Sequence, residues 1–171
     1  MAITKDIKDN YWIGLDGEGI DFLERESGNI LHFPDDFTND VDLSFKSVYS
    51  ICVDSYGDIW LGTSGYGIIK LSITKIGAGK YRLNNFEQII STASTEDHLK
   101  SNIVYSIVEE RPNFLWIGSR GGGVQQLNTL TKEFSNLNPQ IEIDVISLFK
   151  STLHNELWVG TSSGLYSVSL N

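Results

Sequence analysis

The histidine and cysteine side chains of this chain are too scattered to suggest a metal site or a catalytic centre. Its histidines, His32, His98 and His154, fall at unrelated positions, and none has a second histidine or a cysteine at metal-ligand spacing. The single Cys52 lies in an apolar run and is predicted to be a small buried side chain rather than a reactive thiol. The sequence therefore predicts no metal, no cofactor and no catalytic residue.

Two pairs of adjacent acids, Asp35 with Asp36 and Glu109 with Glu110, have the residue type that glycoside hydrolysis uses. Neighbours on a strand point to opposite faces, so solvated edge or loop carboxylates explain both pairs better than a catalytic dyad does. The residue pattern gives catalysis little support.

A repeated sequence motif positions these side chains. Tryptophans recur at spacings of 48, 56 and 42 residues, and each begins a Trp-x-Gly triplet. Repetition at this length predicts stacked copies of one supersecondary unit. The repeated residues are Trp12, Trp60, Trp116 and Trp158 with Gly14, Gly62, Gly118 and Gly160.

Each copy is predicted to form four short antiparallel strands separated by glycine and aspartate turns. In the tryptophan strand of the second copy, Ile59 and Leu61 point to one face and Trp60 points to the other, so both faces are predicted to be buried. Sheets buried on both sides are typical of the radial blades of a β-propeller. The predicted strands of this copy are 48–53, 59–63, 68–72 and a weaker one at 85–89.

The predicted fold class is therefore all-β, a β-propeller fragment of about four four-stranded antiparallel blades that is incomplete at both ends. Leucine-rich and parallel β-helix repeats are shorter than these, and helical repeats would show a 3.6-residue period that is not present. An open arc would expose the apolar flanks of its first and last blades, which predicts self-association. As a hypothesis, two chains close a ring of eight blades. The blades are predicted at about 1–40, 41–98, 99–140 and 141–171.

Composition limits the partners. With 40% hydrophobic and 20% charged residues the chain has the balance of a folded domain, and no apolar run approaches bilayer length. A net charge of −9 disfavours nucleic acid and anionic membrane surfaces, because both would repel the chain. We therefore expect neither nucleic-acid binding nor membrane insertion by this fragment.

The repeat resembles a known family. The segment Val48-Tyr-Ser-Ile is repeated as Val104-Tyr-Ser-Ile, an Asp-x-x-Gly turn follows the first of these, and paired glycines follow the Trp-x-Gly triplets. In these residues the chain resembles the two-component regulator propeller repeat over almost its whole length. The resemblance implies the periplasmic sensor portion of a Bacteroides-type hybrid two-component system, in which a transmembrane helix, kinase, receiver and DNA-binding modules follow the propellers. It also implies recognition of glycan breakdown products.

Propellers usually bind ligands at the loops between their second and third strands. In this chain those loops offer Asp16, Glu18, Tyr66, Arg120 and Ser162. The charged members could hydrogen-bond hydroxyl groups or an acidic sugar, and Tyr66 could stack on a pyranose face. We predict these five residues as the ligand-binding set, although solvated loop residues are the simpler interpretation.

The sequence leaves three functions open. The leading one is a non-enzymatic, extracytoplasmic sensor module for an oligosaccharide ligand, with the kinase elsewhere in the parent protein. The alternatives are a free-standing propeller lyase or hydrolase and a protein-interaction scaffold, because fold does not dictate function. Two long connections, 34–46 and 90–102, are further candidates for binding or simply variable inserts.

Overall fold

The computed structural model describes residues 1–33, 47–92, 98–137, 141 and 143–170. In these residues the regular secondary structure is entirely β-strand, organised into four antiparallel sheets. The strands of the first two sheets are β1 (Ala2–Lys5), β2 (Tyr11–Gly14), β3 (Ile20–Leu23), β4 (Ile30–Phe33), β5 (Val48–Val53), β6 (Ile59–Thr63), β7 (Ile68–Gly77) and β8 (Lys80–Ile89). Those of the last two are β9 (Val104–Arg111), β10 (Phe114–Ser119), β11 (Gly123–Asn128), β12 (Phe134–Asn136), β13 (Val145–Ser151), β14 (Glu156–Thr161) and β15 (Gly164–Ser169).

The sheets are the blades of a β-propeller, which confirms the predicted fold. Within each sheet the strands lie in chain order, so each strand pairs with the next one through a short turn. The first strands of successive blades contact one another, β1 with β5, β5 with β9 and β9 with β13. The first strands therefore lie innermost, and the last strands lie at the outer rim. We call the sheets blades 1 to 4.

The hydrophobic core consists of three clusters, one at each junction between neighbouring blades. The tryptophan of each blade packs toward the blade that follows it. Trp12 lies with Ile59 and Leu61 of blade 2, and Trp60 lies with Ile117 of blade 3. Both faces of β6 are buried as predicted, because one face meets blade 1 and the other meets blade 3.

The glycines of the Trp-x-Gly triplets let the blades approach closely. A Cβ at Gly62 would lie 2.8 Å from the carbonyl oxygen of Val104, and one at Gly118 would lie 2.6 Å from Cγ1 of Val145. A serine beside this contact ties the first strands together, since Ser50 Oγ accepts from the amide of Ile107 at 2.9 Å. The repeated glycines are thus required by packing between blades.

Blade 2 differs from its predicted length. The strands predicted at 68–72 and 85–89 are parts of a hairpin of two ten-residue strands, because β7 runs to Gly77 and β8 begins at Lys80. The prediction was wrong in length because it followed the repeat, whereas the extension is specific to this blade. The outer half of this hairpin reaches over blade 1, where Tyr81 and Leu83 join the core cluster.

Blade 4 has three described strands instead of the predicted four, and one of its faces is open. Trp158 is 37% exposed, whereas Trp12 is 1%, Trp60 is 0% and Trp116 is 4% exposed. Phe149 and Leu165, which share this face, are exposed as well. The boundaries predicted between blades stay predictions, because the connections between blades contain residues outside this description.

Candidate functional site

The five predicted binding residues all lie on exposed loops between second and third strands. Asp16, Arg120 and Ser162 occupy equivalent positions in blades 1, 3 and 4, two residues after the repeated glycine. Their loops are tied to the start of a neighbouring first strand, since Asp16 Oδ1 accepts from Ser47 Oγ at 2.7 Å and the Arg120 amide donates to the carbonyl of Ile103 at 2.9 Å. These contacts fix the backbone on one face of the arc.

The structure joins no two of the five side chains by a hydrogen bond. Tyr66 is 37% exposed, and its amide donates to Thr63 Oγ1 at 3.0 Å. Glu18 is exposed at the tip of the loop in blade 1. The five residues thus line one face with one or two from each blade, and their role in binding stays a prediction.

A cavity of about 760 Å³ lies at the opposite face, between blades 1 and 2. Its walls come from the turns that join first to second strands and third to fourth strands. Antiparallel strands place these turns at the end of the sheet away from the predicted loops. The floor is apolar and aromatic, formed by Trp12, Phe22, Ile59, Ile73 and Tyr81.

The long β7–β8 hairpin of blade 2 forms one side of this cavity. Tyr81 packs edge-on against Phe22 with ring centroids 4.9 Å apart, and Phe22 packs on Trp12 at 4.6 Å. The hairpin is also held by polar contacts, since the Tyr81 hydroxyl donates to Glu24 Oε1 at 2.6 Å and Lys75 Nζ lies 2.5 Å from the same oxygen. These contacts hold the turn between β3 and β4 of blade 1 against the hairpin of blade 2.

Glu24 is a carboxylate of the cavity wall and is only 3% exposed. Besides Lys75 and Tyr81 it accepts from Ser27 Oγ at 2.6 Å. The hydrogen bond from Lys75, followed by those from Ser27 and Tyr81, lowers the pKa of Glu24 to about 2. Burial, followed by the hydrogen bond to Glu24, raises the pKa of Tyr81. Lys75 and Tyr81 of the hairpin therefore bind the ionised carboxylate of Glu24.

Trp12 reaches the same cavity with an unpaired polar atom. Its Nε1 is buried and has no hydrogen-bond partner among the described residues. In blade 2 the corresponding nitrogen of Trp60 donates to Asp54 Oδ2 at 2.8 Å. The matching carboxylate in blade 1 is Asp6, whose Oδ2 instead accepts from Asn10 Nδ2 at 3.0 Å.

Other residues considered for chemistry have structural contacts. His32 Nδ1 lies 2.7 Å from Asp21, and Glu109 accepts from the Ser55 amide and hydroxyl at 3.1 and 2.8 Å. Cys52 is buried, and its burial raises the pKa of the thiol to about 12, as expected for a small apolar side chain. No cluster of metal-binding side chains occurs within the described part of the chain.

The long connections contribute little to either face in the described residues. Residues 34–46 and 93–97 lie outside the description, so the binding role predicted for these segments is untested. From the second connection, Leu99 is buried in the core, and the amide of Lys100 donates to the buried Gln125 at 2.9 Å.

The cavity was missed at the level of sequence, although two signals for it were present. Polar and apolar residues alternate from Lys80 to Leu83 directly after a Gly-Ala-Gly turn, which is the pattern of a hairpin strand. Asn10 also stands where the second copy has Asp58. Neither signal shows by itself that the two segments meet.

Comparison with protein families supports the resemblance seen in the repeats. The model described as two component regulator propeller matches residues 42–65, which include β6 of blade 2. The resemblance to this repeat is therefore confirmed for that segment. A search of the curated proteins found no significant match.

Solved structures share the fold over almost the whole chain. The extracellular domain of the hybrid two-component system BT3049 from B. thetaiotaomicron matches with a TM-score of 0.70 and 23% identity, covering 99% of this chain and 22% of that one. A luciferin-regenerating enzyme matches with a TM-score of 0.70 and 10% identity, covering 99% and 60%. The computationally designed Ika4 protein matches with a TM-score of 0.62 and 17% identity, covering 99% and 92%.

These likenesses define a class. The chain is a β-propeller domain that resembles the extracellular domains of hybrid two-component systems and spans less than a quarter of the length of those relatives. Identities of this size establish the fold alone, as the match to an enzyme illustrates. The part of the chain that the structure describes contains no helix long and apolar enough to cross a membrane.

Proposed function

We propose that this chain is a non-enzymatic sensor module of a two-component signalling protein, located outside the cytoplasmic membrane and detecting a glycan-derived ligand. The observation that carries the proposal is the regulator propeller match at residues 42–65, whose pattern recurs in the other blades. The fold of BT3049, the extracellular domain of a hybrid two-component system, supports the same role. The oligosaccharide ligand and the periplasmic location belong to this proposal.

A sensor of this kind must couple binding to a change in the parent protein. A ligand shifts that protein between two states only if it binds one state more tightly than the other. The contact between the β7–β8 hairpin and blade 1 could couple ligand binding to the positions of these two blades, because the Glu24–Lys75 ion pair joins them beside the cavity.

The test separates a sensor from an enzyme. The purified chain is titrated with a panel of neutral and acidic oligosaccharides by isothermal calorimetry, and the same mixtures are analysed for new products by chromatography. We expect saturable binding without turnover. Product formation that depends on the protein would instead establish the lyase or hydrolase alternative, and an absence of binding to the whole panel would contradict glycan sensing.

We also propose that the open face of blade 4, which carries Trp158, binds the face of blade 1 that points away from blade 2 in a second copy of the chain. At the junctions of blade 2 with blade 3 and of blade 3 with blade 4, a tryptophan face meets the following blade, and a serine on the first strand accepts from an amide of that blade, as Ser106 Oγ does from Leu148 at 3.0 Å. Ser147 is the corresponding serine of blade 4, and the amide of Ile3 is the corresponding donor in blade 1. Light scattering should give the mass of a dimer, and Trp158→Glu should give a monomer; a monomeric wild type would contradict the proposal.

A further inference from the structure

The side chains beside the tryptophan differ between the junction of blades 1 and 2 and the junction of blades 2 and 3. There, Lys70 Nζ lies 5.1 Å from the ring centroid of Trp60, and Lys132 Nζ of blade 3 lies 5.6 Å from it. In blade 1 the position of Lys70 is occupied by Phe22, which packs on Trp12 and leaves the space beside it lined by aromatic rings. The repeat is thus altered at this junction to hold an apolar-floored cavity, whose volume lies within the range of about 300–1,000 Å³ that is typical of ligand sites.

Trp12 gives this cavity a specific polar requirement. Its ring is 1% exposed, and its Nε1 has no acceptor among the described residues. A buried donor without a partner destabilises a fold by about 1–3 kcal/mol. An oxygen of a ligand would supply the missing acceptor. Because Nε1 itself is covered, such an oxygen reaches it only when neighbouring side chains move.

The charges at the rim already neutralise one another. Lys75 lies 2.5 Å from Glu24 and 3.8 Å from Glu26, and Arg25 lies 3.5 Å from Asp9. Lysines and acids therefore leave no strong field of one sign, which favours an uncharged ligand over an acidic or basic one. Aromatic surface beside hydrogen-bonding groups suits a sugar ring, which has apolar faces and a rim of oxygens.

We propose that this cavity is the binding site for an uncharged sugar of one or two rings. The Trp12 indole donates a hydrogen bond to a sugar oxygen, and Tyr56, which lines the cavity and is 63% exposed, covers the ligand from blade 2. The inference deepens the proposed function and rests on it for the choice of a sugar. It places the ligand on the face opposite to the predicted loops.

Nuclear magnetic resonance of the indole N–H groups tests this placement. The indole signals are assigned with single Trp→Phe variants, and the protein is titrated with cellobiose, maltose, xylobiose and galactobiose, with galacturonate and glucosamine as charged comparators. We expect one of the neutral sugars to move the Trp12 signal downfield in a saturable way. Trp116 serves as the internal control, because its Nε1 is also unpaired but it does not line this cavity.

Two tyrosines provide matched variants for the same titration. Tyr56→Ala removes an exposed ring of the cavity lining and, with it, the hydroxyl that accepts from Asn113 Nδ2 at 3.1 Å, whereas Tyr66→Ala removes an exposed ring from the predicted loops. We expect Tyr56→Ala to weaken sugar binding by about ten-fold and Tyr66→Ala to leave it unchanged. Both substitutions are at exposed positions and keep the backbone amides that hold the two turns.

The outcomes separate the site from the function. A sugar that moves the amide signals of Tyr66 and Arg120 but not the Trp12 indole would overturn the cavity and leave glycan sensing intact. Preferential binding of galacturonate or glucosamine would overturn the assignment of an uncharged ligand. If no signal moves with any sugar, the cavity and the glycan part of the proposed function fall together.

Discussion

Blades 1 and 2 carry the same motif with different hydrogen bonding. In blade 2, Asp54 accepts from the indole of Trp60 and from two backbone amides of its turn. In blade 1, Asp6 accepts from two amides as well, but its second oxygen bonds the side chain of Asn10 and not Trp12. The indole of Trp60 is therefore paired at the junction between blades 2 and 3. The indole of Trp12 is unpaired and lies beside the cavity between blades 1 and 2.

The difference follows from substitutions at equivalent positions. Blade 2 has Asp58, which pairs with Lys70 at 2.6 Å, and this lysine covers Trp60. Blade 1 has Asn10 and Phe22 at the same two positions. An amide can donate to the aspartate where a carboxylate cannot, and a phenyl ring cannot form the ion pair. These two substitutions, together with the longer β7–β8 hairpin, distinguish the candidate site from the structural junction between blades 2 and 3.

The largest expected contrast is between the two tryptophans. Trp60→Phe removes buried volume and leaves Asp54 Oδ2 without its donor, so we expect a loss of about 3 kcal/mol of unfolding free energy. Trp12→Phe removes an unpaired donor together with the volume, so the expected loss is about 1 kcal/mol. Urea denaturation of both variants measures the difference. Equal losses would mean that the hydrogen bond to Asp54 contributes nothing.

Substitution of the aspartate should also destabilise blade 2 more than blade 1, with a smaller difference between Asp54 and Asp6 than between the two tryptophans. Asp54→Asn presents an amide donor to the Trp60 indole or loses an acceptor for the backbone, with an expected cost of about 2 kcal/mol. Asp6→Asn disturbs only the exposed turn and the amide of Asn10, with an expected cost of about 1 kcal/mol. Urea denaturation measures the unfolding free energies of both variants. A larger loss for Asp6→Asn would contradict the greater contribution of Asp54 to stability.

Glu24 should make blade 1 sensitive to acid. Its pKa is lowered from 4.5 to about 2, so its ionised contacts contribute fully above the ordinary value and are lost as the pH falls through the lowered one. We therefore expect the stability advantage of wild type over Glu24→Gln to shrink between about pH 6 and about pH 2. Tyr81→Phe, which removes one donor, should show a smaller change of the same sign. A difference that stays constant with pH would contradict this account.

The smallest effect is expected where no blade covers the tryptophan. Trp158 is 37% exposed, so Trp158→Phe should change the unfolding free energy by less than about 0.5 kcal/mol in the monomer. The unfolding free energy of this variant is measured at low protein concentration, where the chain is a monomer. It extends the comparison to a tryptophan that no following blade covers. A loss as large as that of Trp60→Phe would show that the face is already covered in solution.

Much of the fold could be predicted from particular residues. Alternation around Trp60 indicated a strand buried on both faces, and Asp54 with Gly57 indicated the tight turn, in which the Gly57 amide donates to the Asp54 carbonyl at 2.9 Å. The candidate site could not be predicted in the same way. The prediction of the five loop residues rests on analogy with other propellers, and the cavity depends on a hairpin whose extension is specific to one blade.

The sequence by itself determined the repeated strands, apart from the extension in blade 2, together with their order and the face on which Trp60 lies, because these depend on local alternation and on turns between neighbouring strands. Only the tertiary structure decided which tryptophan gains an acceptor and where space remains between blades. Those outcomes depend on residues far apart in the chain, such as Glu24 and Tyr81, meeting across a junction. Periodicity carries no information about such a meeting, since it repeats in every blade while the contact occurs in one.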